Sequence, residues 1–278
     1  MPMLAGVTLD YRLPGPLTDL DSVPAEFLEG VGSEPLAICS PVHTMFVQPT
    51  DPLALDLPHV RLADNHIRPA ARLAHRLVDL DPRPLNEQRA PGRQVVGTCR
   101  HFAVLACALL RYRGVESRVR CGFATYFAHR RAVDHWIIEY RPGNGRRWVR
   151  MDPEILGTAI VEHPEDLRQG QFLTGCEAWM AFRRGEVDAS RFGVHGTENW
   201  GPAEIRGNAV KDLAAVNKVE MLPWDEWGRM TEAYEGKSGR DYDSLLDKVA
   251  EACTIDDPMA IADVYEHPDL RVPDSMVG

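Results

Sequence analysis

The chain has 278 residues, of which 44% are hydrophobic and 26% charged, and its formal net charge is −10. That much apolar material can bury a sizeable core, which excludes a disordered chain. The acidic balance argues against nucleic acid or an anionic membrane as partner, because both select for basic patches.

No apolar run approaches the roughly 20 residues of a membrane span. The N-terminal MPMLAGVTLDYRLPGP lacks the basic and then apolar layout of a signal peptide. A cytoplasmic protein with no membrane partner is expected. Short basic clusters at Arg111–Arg120 and Arg146–Arg150 are mixed with acids and read as solvated faces. The six cysteines (Cys39, Cys99, Cys107, Cys121, Cys176 and Cys253) are widely spaced, so free thiols are expected. There is no CxxC, HExxH or zinc-ribbon spacing, and the expectation is no metal and no cofactor.

Residues 1–60 are rich in Pro and Gly, with a β-prone piece at His43–Gln48. Residues 67–80 read as a helix ended by the Pro-rich stretch from Asp81. Residues 98–113 read as a second helix, with Thr98 as N-cap and Gly114 as the C′ stop. Its Phe102, Leu105, Ala106, Leu109 and Leu110 form a buried stripe, with Cys99 at the head. Strands follow at 117–127, 134–140 and 147–152, the last two flanking the turn PGNG at 142–145. Helices are expected at 176–185, 208–216 and within 241–252. The segment 217–227 reads as irregular, and the acidic tail beyond Asp256 as partly disordered.

A nucleophilic cysteine needs a lowered pKa and a base. At a helix start, unpaired N–H groups and the macrodipole favour the Cys99 thiolate. Cys107 is mid-helix and Cys121 within a strand, so neither shares that setting. His101 is nearest in sequence, but two residues on a helix is about 200° of rotation, so it should point away. His135 is better placed. A turn centred between Gly143 and Asn144 makes His135 and Asp152 direct cross-strand neighbours, with Cβ atoms about 5 Å apart. Asp152 would then accept the second imidazole N–H and fix the tautomer. Trp136, Ile138, Tyr140, Val149 and Met151 on the opposite face read as core.

The motifs GTCRHFAVLACALLRYRG (97–114), DHWIIEY (134–140) and RWVRMDPE (147–154) present a cysteine at a helix start, then a histidine and an aspartate on successive strands. This order resembles the transglutaminase-like superfamily within the papain-like thiol fold. The segments GEVDASRFGV (185–194) and IRGNAVKDLAAVNKVEMLPWDEWG (205–228) resemble a bacterial group of transglutaminase-like proteins. That group more often has Asp where this chain has His101, and a changed rim is the expected consequence. The resemblance implies an α+β fold with the nucleophile helix packed on an antiparallel sheet. It also implies a single domain over 1–278, with a core at about 60–155 and a C-terminal elaboration at 156–278 covering the cleft. It further implies thiol-dependent acyl chemistry on a peptide-like or small-molecule amide through Cys99, His135 and Asp152, by hydrolysis or acyl transfer. Gln94 is a candidate oxyanion donor by analogy with papain-like enzymes, beside the Cys99 backbone N–H.

Four tryptophans, Trp179, Trp200, Trp224 and Trp227, could line a substrate pocket or fill core. Asn217, Lys218 and Glu220 could bind a polar substrate or brace a loop. Two rival readings use the same residues. One is a non-catalytic binding module that keeps the fold. The other is a metal-dependent hydrolase using His129, Asp134 and His135.

Overall fold

The computed structural model describes residues 9–51, 57–90, 92–143, 145 and 147–277. Its helices are α1 (Pro35–Cys39), α2 (Ala70–Leu80), α3 (Cys99–Tyr112), α4 (Gly175–Arg183), α5 (Pro202–Val216), α6 (Met230–Tyr234), α7 (Arg240–Ile255), α8 (Pro258–Tyr265) and α9 (Asp274–Val277). Its strands are β1 (Phe46–Val47), β2 (Val95–Val96), β3 (Ser117–Ala124), β4 (Ala132–Tyr140), β5 (Val149–Met151), β6 (Phe172–Thr174) and β7 (Phe192–Gly193). Mixed helix and antiparallel sheet is the α+β class read from the sequence. No described helix is long and apolar enough to cross a membrane.

The chain divides into two compact units, and the division runs through β3 and β4. One unit holds Tyr11–Val119 and Trp136–Gln169; the other holds the residues up to Asp10, Arg120–His135 and Gly170 onward. The larger sheet has the order β5-β4-β3-β6, with β7 pairing β4.

In the unit that contains α3, this helix packs against α1 and α2. The expected stripe is buried, but so is every residue from Cys99 to Arg111. Two arginines survive that burial by finding backbone acceptors. Arg100 donates to the Arg68 carbonyl at 2.7 Å. Arg111 donates to the Ser117 carbonyl at 3.0 and 2.9 Å and to Thr18 at 2.6 Å, which ties the helix to the start of β3. Gly114 takes φ +72° as the expected helix stop. A parallel pair of β1 with β2 leads into the helix. In α2 the buried face is Ala70, Leu73, Ala74 and Leu77, and the helix starts after Pro69 rather than at 67.

β4 and β5 are antiparallel, with Ile138 opposite Met151, Glu139 opposite Arg150 and Tyr140 opposite Val149. Carried one residue on, this register sets Asp152 opposite Ile137, not opposite His135. The connection is longer than a two-residue turn. Pro142 accepts from Gly145, and β5 begins only at Val149; Asn144, half of the expected turn centre, lies outside the described residues. The shift is two residues, so the alternation of faces is preserved. Trp136, Ile138, Val149 and Met151 are buried on one face as expected.

The basic cluster at Arg111–Arg120 is not a solvated face. Arg111, Arg118 and Arg120 are buried. Arg118 and Arg150 both reach the buried Glu139 carboxylate, at 2.8 and 3.0 Å. In the other unit Arg120 forks onto Asp212, with both bonds at 2.8 Å. Burying such cations requires paired, hydrogen-bonded anions. Of the second cluster, Arg147 is exposed and pairs with Asp166, while Arg146 lies outside the described residues.

In that other unit β3 pairs β6 antiparallel and β4 pairs β7 in parallel. Helices α4, α5 and α7 pack on one another. α5 starts at Pro202, six residues before the expected start, with Pro at its first position, where its missing N–H is not needed. The segment 217–227 is irregular as read. From Asp257 to Val277 the tail is ordered, not partly disordered. It forms α8 and α9, buries Ile261, Leu270 and Val272, and its Leu270 carbonyl accepts from the Trp227 indole at 2.8 Å. All six cysteines are buried free thiols.

Candidate functional site

Cys99 is the first residue of α3, with Thr98 at the N-cap. The cap is reciprocal: the Thr98 side chain accepts from the His101 backbone N–H, and the Thr98 N–H donates to His101 Nδ1 at 3.0 Å. His101 is therefore a buried cap, not part of a rim as expected from the departure at that position. Burial, helped by the neighbouring Arg100, pushes its pKa down to about 3. A neutral ring with Nδ1 accepting is the form the cap needs. The first turn is thus capped by a neutral imidazole, and Cys99 is 7% exposed.

Gln94 sits before β2. Its amide donates to the Thr44 carbonyl at 3.0 Å, which uses one of its two N–H hydrogens. Asp152 follows β5 and is fully buried. Its backbone N–H donates to Pro164 at 2.9 Å, and its Oδ1 accepts from the Glu154 N–H at 3.0 Å. Gln48 donates to the Glu154 carboxylate at 2.8 Å, and the His43 ring bonds the Glu154 carbonyl. The carboxylate of Asp152 is therefore held in part by its own turn.

His135 lies on β4 and is 3% exposed. The rings of Phe127 and Tyr126 meet it edge-on, with centroids at 4.9 and 6.2 Å. The period of two puts His135 on the same face of β4 as Ile137, the residue opposite Asp152. Asp134 points the other way and accepts from Asn208 at 2.6 Å. Burial raises the Asp134 carboxyl above its ordinary range. His129 is exposed and lines a different cavity with Arg130, Arg131 and Asp188. The three residues of the metal-hydrolase reading, His129, Asp134 and His135, thus face separate surroundings.

The tryptophans divide. Trp179 and Trp227 are core, bonded to Asp247 and to the Leu270 carbonyl. Trp200 and Trp224 line a cavity of about 440 Å³ with Asp134, Glu204, Lys211 and Tyr234. Asn217 closes the end of α5 by donating to the Leu213 carbonyl at 2.8 Å. Lys218 takes a left-handed backbone, φ 65°, and donates to the Asp10 carbonyl, and Glu220 is fully buried. None of these three lines that cavity. Sequence reasoning missed Glu204 and Lys211. With Asn208 they are spaced i, i+4, i+7 on α5, a polar stripe that appears only when the helix is extended back to Pro202.

No curated protein matches the chain. One solved structure found to be similar is a candidate cysteine protease from Cytophaga hutchinsonii, at 17% identity with a TM-score of 0.34. The similarity covers 52% of this chain and 41% of that one, so the chain spans about two fifths of that protein's length. A family model described as the transglutaminase-like superfamily matches residues 78–153. That stretch runs from the end of α2 to just past β5, and Cys99, His135 and Asp152 all fall inside it.

Proposed function

We propose that the protein performs thiol-dependent acyl chemistry on a peptide-like or small-molecule amide, with Cys99 as nucleophile, His135 as general base and then acid, and Asp152 as the group that orients His135. The observation that carries this reading is the place of Cys99 at the capped start of α3, within the matched superfamily segment. The helix dipole there favours the thiolate.

In the first step the Cys99 proton passes to His135 and the sulfur attacks the carbonyl carbon. The C–N bond then breaks as the amine leaves with the proton from His135, and a thioester remains on Cys99. Water releases an acid, or a second amine forms a new amide; both outcomes use the same three residues. The developing oxyanion is assigned to the Cys99 backbone N–H and to the second N–H of Gln94. No cofactor enters this scheme.

The test is iodoacetamide alkylation of each cysteine from pH 4 to 9, read by peptide mapping, with and without His135→Ala. Selective reaction of Cys99 near pH 6 that is lost in the variant supports the thiolate–imidazolium pair. Titration of Cys99 as an ordinary thiol, at about pH 8.5, would leave a binding module that keeps the fold.

A further inference from the structure

The cavity lined by Trp200 and Trp224 does not depend on the acyl chemistry. It lies wholly within one unit, between the start of β4, the α5 residues Ala203, Glu204 and Lys211, and the segments carrying Trp200, Trp224 and Tyr234. At about 440 Å³ it falls in the range of small-molecule sites. Asp134, whose side chain enters it, leaves β4 on the face opposite His135.

Its charge is one-sided. Asp134, Glu198, Glu204 and Glu226 line it against the single cation of Lys211. Lys211 is already engaged, donating to the Pro223 carbonyl and to the Tyr234 hydroxyl. The start of α5 adds about half a positive charge, which does not offset the excess of carboxylates.

Glu204 is the second, independent sign. It is 6% exposed and lines the cavity, yet its carboxylate has no hydrogen bond or ion pair among the described residues. Burial raises its pKa to about 7, against the pull of Lys211. A carboxylate buried without a partner is destabilising unless something pairs with it. Around it stand aromatic rings, the surface that attracts organic cations. Trp224 is 42% exposed at this cavity. Trp200 already holds the Arg131 guanidinium 4.4 Å from its ring centroid.

We infer that this cavity binds a small organic cation, a primary ammonium or guanidinium on a short apolar stem, whose charge pairs with Glu204 and whose stem lies against Trp224. Glu204 supplies the charge partner, Trp224 the apolar wall, and Asp134 and Glu226 the surrounding negative field.

The experiment is calorimetric titration of the full chain with n-butylguanidinium, n-butylammonium, n-butanol and butyrate, followed in parallel by tryptophan fluorescence. The two cations are expected to bind at one site, with n-butanol and butyrate at least about tenfold weaker, a difference carried by the charge. Glu204→Gln is expected to weaken cation binding by about tenfold or more, with circular dichroism unchanged. Trp224→Ala, at a partly exposed position, is a second variant and should weaken both cations and quench less. Cation binding no tighter than n-butanol, binding unaltered in Glu204→Gln, or no cation binding at all would each overturn the inference. None of these readouts uses Cys99, so the acyl chemistry stands or falls separately.

Discussion

The Thr98 N–H and His101 Nδ1 are joined by a 3.0 Å hydrogen bond at the start of α3. The bond requires the ring to be neutral, and burial keeps it so, with its pKa pushed down to about 3. An unfolded histidine takes up a proton near pH 6.5. Stability from this site is therefore full above about pH 6.5 and falls as the pH drops toward 3. His101→Gln keeps an acceptor for Thr98 and cannot charge. Urea denaturation at pH 7.5 and 4.5 should show the wild type losing about 2–3 kcal/mol more than the variant between the two. Parallel losses would show that His101 titrates as an exposed ring.

Gly97 is fitted to the same ring. A Cβ at position 97 would lie 2.8 Å from His101 Cγ and 2.9 Å from its Cβ. The ring cannot swing away without breaking the cap, and the Gly97 N–H is committed to the Val47 carbonyl at 3.0 Å. Gly97→Ala should cost about 2 kcal/mol in chemical denaturation. Combined with His101→Gly, which removes both contacting atoms, the loss should shrink. A double-mutant cycle measures that coupling, and strict additivity would count against the clash.

What could be read from the sequence follows how local each signal is. α3 was legible because its apolar period, its Thr98 cap and its Gly114 stop lie within one stretch. The β4–β5 pair was legible as a hairpin, but its register was misjudged by two residues because PGNG resembles a tight turn while the chain returns to the sheet only at Val149. The face assignment survived because strands repeat every two residues. The burial of Arg118 and Arg120 was not legible, since their partners Glu139 and Asp212 lie 21 and 92 residues away. The tail was misread because its buried residues, Ile261, Tyr265, Leu270 and Val272, follow no single period. The cavity draws on segments far apart in sequence, and only its tryptophans stood out beforehand.

Glu204 should make stability depend on pH in the opposite sense to His101. Its folded pKa is raised from 4.5 to about 7. The neutral acid is favoured by burial, so its contribution is present below about pH 4.5 and lost as the pH rises through 7. Lys211 partly opposes this, while Asp134 and Glu226 reinforce it. Glu204→Gln should leave stability nearly unchanged at pH 4 and raise it by about 2 kcal/mol at pH 8, after allowance for screening through the open side of the cavity. Equal stability of the two proteins at pH 8 would mean that the carboxylate is solvated.

Asp152 combines a structural bond and a proposed electrostatic one, and two substitutions separate them. Its Oδ1 accepts the Glu154 N–H at 3.0 Å. Asp152→Asn retains a carbonyl oxygen for that bond but removes the negative charge that would stabilise an imidazolium at His135. Asp152→Ala removes both. The Asn variant should therefore melt within a few degrees of the wild type, while the Ala variant loses about 1–2 kcal/mol from the unpaired N–H. Alkylation of Cys99 should move toward the pH of an ordinary thiol in both variants, because without the aspartate the histidine holds its proton less firmly. If Asp152→Asn left the pH profile of Cys99 unchanged, Asp152 would be a turn-forming residue alone, and the proposed triad would reduce to Cys99 and His135.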